Sequence, residues 1–515
     1  MAPVTLKSID GKWIMASSIL ASSMAFIDST ALNVVLPSLQ ESLDAKGTDL
    51  FWILNAYLLM LASFILLGGS LGDKLGRKKI FIVGILIFIS GSALCGFAPT
   101  VNYLIAFRML QGLGGALMIP GSLSLISASF SAKERGKAIG TWSAFTTIVT
   151  IGGPIIGGAL GDAGLWRYIF FINIPIGLIS IFILWFKVKE SRDEGLDHSL
   201  DYPGAIATVI GLALLTFGFL RIPDVGFQNW QVYISLGGGI LVIAIFIFIE
   251  NKSKHPMMPL GLFSNKTFSG ANLLTFFLYA GLGAGILFLT LNMVQIQGYS
   301  QLQAGLTLLP FTILMILIAR FAGSLADKYG PRWLLILGPA VAGVGLLLLS
   351  FVKQTSGTGE YWTTFFPGIF CFGLGMSFTV APLTVTVMGA LPNHFAGTAS
   401  GVNNAMTRIS SVFANAIFGS LAVLFFSAFL NKEIAQLSLD NSSQLEVLAQ
   451  ASALGNAQVP ISLKRENKII VKRAYKNAFI ASYGKIMKLC SLLAFLGAFM
   501  SLIFIKNNAA IVTDS

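Results

Sequence analysis

From Trp13 to Ile505 the chain is a succession of apolar runs separated by short polar turns. That rhythm admits few folds. A bilayer core of about 30 Å takes ~20 apolar residues as a helix. Backbone groups inside hydrocarbon must be satisfied within the protein, so only helices or closed barrels cross it. Barrel strands alternate in segments of about ten residues, and these runs do not alternate. Composition points the same way: 55% of residues are hydrophobic, 11% are charged and 41 are Phe, more oil than an aqueous surface can hold.

The chain therefore reads as an all-α membrane protein with fourteen transmembrane helices. Six spans are expected near 13–36, 51–71, 80–97, 101–127, 136–160 and 167–186, two near 203–220 and 232–249, and six near 268–296, 304–325, 333–351, 362–390, 400–429 and 478–505. The corresponding domains are an N-terminal six-helix bundle (1–190), a linker carrying two extra helices (191–255) and a C-terminal six-helix bundle (256–515) with an extracytoplasmic loop at 430–477. The N-terminal run is long enough to remain as the first helix rather than serve as a signal peptide. Within the loop, the basic stretch KRENKIIVKRAYK (Lys464 to Lys476) reads as a solvated amphipathic hairpin leading into the last helix.

The net charge of +12 does not point to nucleic acid, because of where the cations fall. Lys74, Arg77, Lys78, Lys79, Lys133, Arg135 and Lys137 lie on one side of the membrane, while Lys46, Arg167, Arg221 and Lys353 are the few in short loops on the other. The positive-inside rule then puts both termini in the cytoplasm, in the inner membrane of a bacterium. Cys95, Cys371 and Cys490 all fall inside spans with no paired spacing, so they read as packing residues. His198, His255 and His394 lie in expected loops without metal spacing, and no Gly-Lys pair is followed by Ser or Thr as a phosphate-binding loop requires. Neither a metal nor a cofactor is expected, and an ATP-driven pump, an enzyme and a channel are all disfavoured. The lipid bilayer is the expected partner, nucleic acid is not, and the protein is expected to be a monomer.

A charged turn occurs twice. GSLGDKLGRKKI starts at Gly69 and GSLADKYGPRWL at Gly323, each between the second and third helices of its block. Gly69 and Gly76 allow a tight turn, Asp73 offers a partner for a helix N-terminus or a cation, and Arg77 holds the turn at headgroups. Asp327 and Arg332 are their counterparts in the second copy. With IDSTALNVVLPSL on the first helix, RMLQGLGGALMIP on the fourth, GPIIGG on the fifth and WRYIFFINIPIG on the sixth, the sequence resembles the major facilitator superfamily, and within it the fourteen-helix drug/proton antiporter branch. One departure is Val149, where the fifth-helix signature usually has glycine.

The resemblance implies two six-helix bundles that rock about a central cavity, with the charged turn acting as a cytoplasmic latch and Gly153, Pro154, Gly157 and Gly158 forming a hinge on the fifth helix. It further implies proton-coupled export of lipophilic drugs by alternating access. A dedicated exporter of a neutral or anionic metabolite, a siderophore or a lipid remains the alternative, with uptake by proton symport behind it.

Of 22 acidic residues, Asp28 alone lies inside a span, with Ser18, Ala21 and Ala25 on its face. Placing a charge at membrane depth costs at least ~3 kcal/mol on insertion scales, so such a residue reads as functional by default. Arg108, the one cation of the first block that lies within a span away from its ends, is the expected partner. Burial and a neighbouring arginine act on a carboxyl group in opposite directions, a balance suited to loading and releasing protons. In the second block Asn404, Arg408, Ser411 and Asn415 follow one another at steps of four, three and four, a polar stripe fitted equally to substrate contact or to bonding between helices. Asn55, Tyr57, Gln111, Asn292 and Gln295 complete the expected cavity wall.

Overall fold

The computed structural model describes residues 4–191, 201–253, 256, 258–391, 396–437 and 439–506. In chain order its α-helices are α1 (Ile9–Ser42), α2 (Gly47–Leu75), α3 (Arg77–Phe97), α4 (Val101–Ser129), α5 (Ala132–Asp162), α6 (Tyr168–Phe171), α7 (Asn173–Lys187), α8 (Tyr202–Val225) and α9 (Trp230–Lys252). They continue as α10 (Lys266–Leu291), α11 (Gln301–Thr307), α12 (Leu309–Tyr329), α13 (Arg332–Leu349), α14 (Tyr361–Thr364), α15 (Phe366–Gly389), α16 (Ala396–Ile434), α17 (Asn441–Ala449) and α18 (Arg465–Phe504). Thirteen helices are long and apolar enough to cross a membrane among the described residues. The fifth expected span corresponds to α5, whose apolar part runs over Ile148–Asp162.

Three expected spans are interrupted, and each interruption precedes a proline. Pro175, Pro310 and Pro367 stand just inside α7, α12 and α15. Proline offers no N–H to the preceding turn and its ring crowds the carbonyl four residues back, so α6, α11 and α14 end short of them. The last helix starts at Arg465, well before the expected 478. Its early turns bury Val471, Ala474, Tyr475 and Ala478 while Ile469 and Ile470 remain exposed, so the basic run is one face of α18.

The chain divides into two compact units, one of 1–259 with 300–305 and the other of 260–299 with 306–515. In the first unit α4 lies against both α2 and α3. Glycine allows this approach: a β-carbon at Gly91 would stand 2.7 Å from the backbone nitrogen of Gln111. The two extra helices pair with each other, and α8 leans on α2, where Trp52 and Phe217 place their rings 6.2 Å apart. In the second unit α15 packs on α12 and α13, and α16 on α10 and α18.

Candidate functional site

The close packing of α4 carries Arg108 and Gln111 toward α1, one turn apart on the same face. Asp28 is fully buried and Arg108 is 1% exposed. An Arg108 terminal nitrogen donates to Asp28 Oδ2 at 2.5 Å and to Gln111 Oε1 at 2.7 Å. Gln111 Nε2 in turn donates to Asp28 Oδ1 at 2.9 Å. Both carboxylate oxygens are thus held, one by a cation and one by an amide. Arg108 Nε also donates to the Ile53 carbonyl at 3.4 Å, and the guanidinium lies 4.3 Å from the centre of the Tyr57 ring, where a cation is attracted to the aromatic face. Ser18, Ala21 and Ala25 are buried as well. Asp28, Arg108 and Gln111 thus close a triangle of carboxylate, guanidinium and amide.

Of the residues expected in a cavity wall, Gln111 and Tyr57 therefore belong to the Asp28 cluster. Asn55 is fully buried, and neither polar atom of its side chain has a hydrogen-bond partner. Asn292 opens a π-helical turn, Asn292–Ile296, at the end of α10, where Gln297 N bonds to the Asn292 carbonyl five residues back. Such turns recur at functional sites. Gln295, in the same turn, packs against Gly455.

On α16 the bonds to α10 do not come from the polar stripe. Bonding between helices falls to a residue just off the stripe: Asn403 Nδ2 donates to Asn272 Oδ1 at 3.2 Å and to Thr275 Oγ1 at 2.7 Å on α10. Asn404 is exposed and donates to its own helix at the Ser400 carbonyl, and Ser411 likewise bonds the Thr407 carbonyl. Arg408 is half-buried, and its Nε is buried with no hydrogen-bond partner. Asn415 is buried.

On α5, Gly157 packs on α1, where a β-carbon would meet the Ala31 carbonyl oxygen at 2.6 Å, and Gly153 packs on Thr30 one turn earlier. Gly158 faces the 300–305 segment, with a β-carbon position 2.5 Å from Leu302 Cα, and Pro154 lies against Gly305. Asp162, which ends α5, accepts the Gln301 and Leu302 amides at 2.7 and 3.0 Å. The fifth-helix signature thus packs on the helix of Asp28 on one side and on 300–305 on the other.

The charged turn is anchored by Glu190, a residue outside the motif. Its carboxylate accepts the Lys78 and Lys79 amides at 2.9 and 3.1 Å, and Arg77 donates to Ser191 Oγ at 3.1 Å. This is an acidic group on a helix N-terminus, where free N–H groups and the helix dipole favour negative charge. Gly76 takes φ +113 there, which a side chain would resist. A β-carbon at Gly69 would stand 3.8 Å from the Pro120 side chain. In the second copy Gly330 takes φ +83 and Arg332 donates to the Leu502 carbonyl at 3.1 Å. The side chains of Asp73 and Asp327, and all of His198, His255 and His394, lie outside the described residues.

Sequence reasoning missed Glu190, Asp162 and Asn403. Glu190 and Asp162 act across more than a hundred residues of chain, which no local spacing reveals. The grouping of Gln111 with Arg108 had a signal in their three-residue separation.

Comparison with known proteins agrees with this architecture. Over 96% of its length the chain matches 98% of a bacterial homolog to the human lysosomal transporter Spinster, solved in an inward-facing and unoccupied conformation, at a TM-score of 0.64 and 17% identity. The inward-open xylose transporter XylE from E. coli matches at a TM-score of 0.57 and 14% identity, covering 96% of each chain. Among relatives by sequence, the multidrug resistance protein Stp of Mycobacterium tuberculosis is 32% identical over 83% of this chain and 78% of its own. The tetracenomycin C resistance and export protein of Streptomyces glaucescens is 28% identical over 93% of this chain and 89% of its own. The family model described as Major Facilitator Superfamily matches residues 18–415, a stretch that runs from α1 through the polar stripe of α16. With its apolar helices and its repeated turn, the chain is an integral membrane protein and belongs to the Major Facilitator Superfamily.

Proposed function

We propose that the protein is a proton-coupled exporter of lipophilic small molecules, working by alternating access from the inner membrane of a bacterium with both termini in the cytoplasm. The observation that carries this reading is the buried Asp28–Arg108–Gln111 triangle. A proton arriving at Asp28 removes the charge that holds Arg108, so loading the site frees a guanidinium inside the first unit. Moving one elementary charge across 100 mV supplies roughly 2.3 kcal/mol, enough to bias a two-state protein about fiftyfold. The export direction and the drug-like cargo rest on relatives named for multidrug resistance and antibiotic export. Protons as the coupling ion and a monomeric state belong to the same reading, as do hinge duty for Gly153, Pro154, Gly157 and Gly158 and a latch at Gly69, Asp73, Gly76 and Arg77. In proteoliposomes carrying an imposed pH gradient, the protein is expected to drive rhodamine 6G movement that collapses with the gradient. Asp28→Asn is expected to retain exchange of the dye at equal pH and to lose gradient-driven accumulation. Full accumulation in Asp28→Asn would remove this reading.

A further inference from the structure

The membrane-spanning helices of the second unit hold a positive charge that no side chain among the described residues neutralises. Arg408 stands about 18 Å along α16 from Ala396, at 1.5 Å per residue. Among the described residues it forms no ion pair, and its Nε is buried without a hydrogen-bond partner. The contrast with Arg108, which is closed onto Asp28 at 2.5 Å, is one of kind. A guanidinium is a rigid fork of donors shaped for an oxyanion, and an arginine at membrane depth is retained where a partner exists or visits.

The surroundings of Arg408 are those of a receptive site rather than a packed one. Asn404, one turn before it, is exposed despite lying in a spanning helix, and Ser411 is half-buried on the same stripe. Phe276 and Phe413 meet edge to face across α10 and α16 at 6.2 Å between ring centres, which sets an aromatic wall by the polar groups. The helix contact itself is carried elsewhere by Asn403, so Arg408, Asn404 and Ser411 are not consumed in holding α16 to α10. Lys485 and Lys488 on α18 add positive charge to this unit, each over a phenylalanine ring. Among the described residues no acidic side chain offsets Arg408 within these spans.

We infer that Arg408, with Asn404, binds an oxyanion carried on an apolar aromatic body, so that the exported molecules include an organic acid, or the acidic headgroup of a lipid, beside dyes that do not use this fork. This assignment rests on the transport reading above and gives its cargo a charge. The substrate supplies the missing counter-ion while bound, and its departure leaves the empty fork. An organic acid leaving against an entering proton also moves charge in the direction that an inside-negative potential favours, so both components of the proton gradient act on export.

The test uses two dyes on one ring frame, anionic fluorescein and cationic rhodamine 6G, bound to the full chain in neutral phosphatidylcholine nanodiscs at fixed pH and followed by fluorescence anisotropy. The wild type is expected to bind fluorescein saturably. Arg408→Gln is expected to weaken that binding by about tenfold or more while leaving rhodamine 6G within about twofold, and Arg408→Lys to fall between, as loss of a charged fork against its mere reshaping requires. On the unmutated protein, 1-naphthoate is expected to displace fluorescein where 1-naphthylmethanol does not, a result that stands whether or not the variants fold. Nanodiscs containing phosphatidylglycerol separate the sources: displacement of fluorescein by that lipid assigns the site to a headgroup, and its persistence assigns it to a soluble acid. Absent fluorescein binding, equal losses for both dyes in Arg408→Gln, or displacement by the alcohol as well as the acid would overturn the inference. Binding at fixed pH involves no proton gradient, so failure here leaves proton coupling through Asp28 standing, and failure of that coupling leaves this site standing.

Discussion

Arg108 and Arg408 place the same side chain in membrane-spanning helices of the two units, and their surroundings differ in every respect that matters. Arg108 is 1% exposed, bonded to Asp28 and Gln111, and laid over the Tyr57 ring. Arg408 is half-buried, bonded to nothing among the described residues, and flanked by an exposed asparagine. A neutralised arginine can serve as an internal switch, because protonating its partner releases it. An open arginine waits for charge from outside. The first unit is therefore read as the seat of the proton and the second as the seat of cargo, a division of labour between two similar bundles.

The contrast is broken most forcefully at Arg108. Arg108→Gln strands a buried carboxylate, and removing one member of a buried pair costs about 3–5 kcal/mol. A large drop in melting temperature is expected, with most of it restored in the double variant Asp28→Asn/Arg108→Gln, where no charge is left unpaired. Equal instability of the single and double variants would mean that the pair is not the energetic unit. Gln111→Leu probes the third member. Loss of a hydrogen bond to a charged group costs about 1.5–3 kcal/mol, so thermal melting should fall by an intermediate amount, and a neutral result would return Gln111 to the cavity wall that its sequence position suggested. Arg408→Met should do the reverse. With no bond to lose and one membrane charge removed, melting is expected to stay level or rise by up to about 1 kcal/mol of stability, since a half-buried guanidinium keeps part of its hydration. Marked destabilisation of Arg408→Met would show that Arg408 is structural, and the two arginines would then be alike.

Much of this was legible before any coordinates. Apolar run length dictated the helices, because hydrocarbon leaves the backbone no alternative. Asp28 stood out because a lone acid in such a run is expensive, and Arg108 followed as the one cation able to meet it. Pro175, Pro310 and Pro367 stand in the sequence too, yet hydropathy runs continuously across the breaks they cause, since it does not register a missing N–H. The neighbours Asn403 and Asn404 show a sharper limit. They differ by about 100° around the helix axis, and one ties α16 to α10 while the other is exposed. Which of two adjacent asparagines faces a partner depends on the rotation of the whole helix, a tertiary quantity. Glu190 capping α3 and Asp162 holding the Gln301 and Leu302 amides are tertiary in the same sense.

The central claim is that Asp28 takes up and gives back a proton, and infrared difference spectroscopy of the purified protein between neutral and acidic pH observes it most directly. The account predicts a protonated-carboxyl band that grows on acidification in the wild type and is missing in Asp28→Asn. The same band at full intensity in both proteins would contradict it.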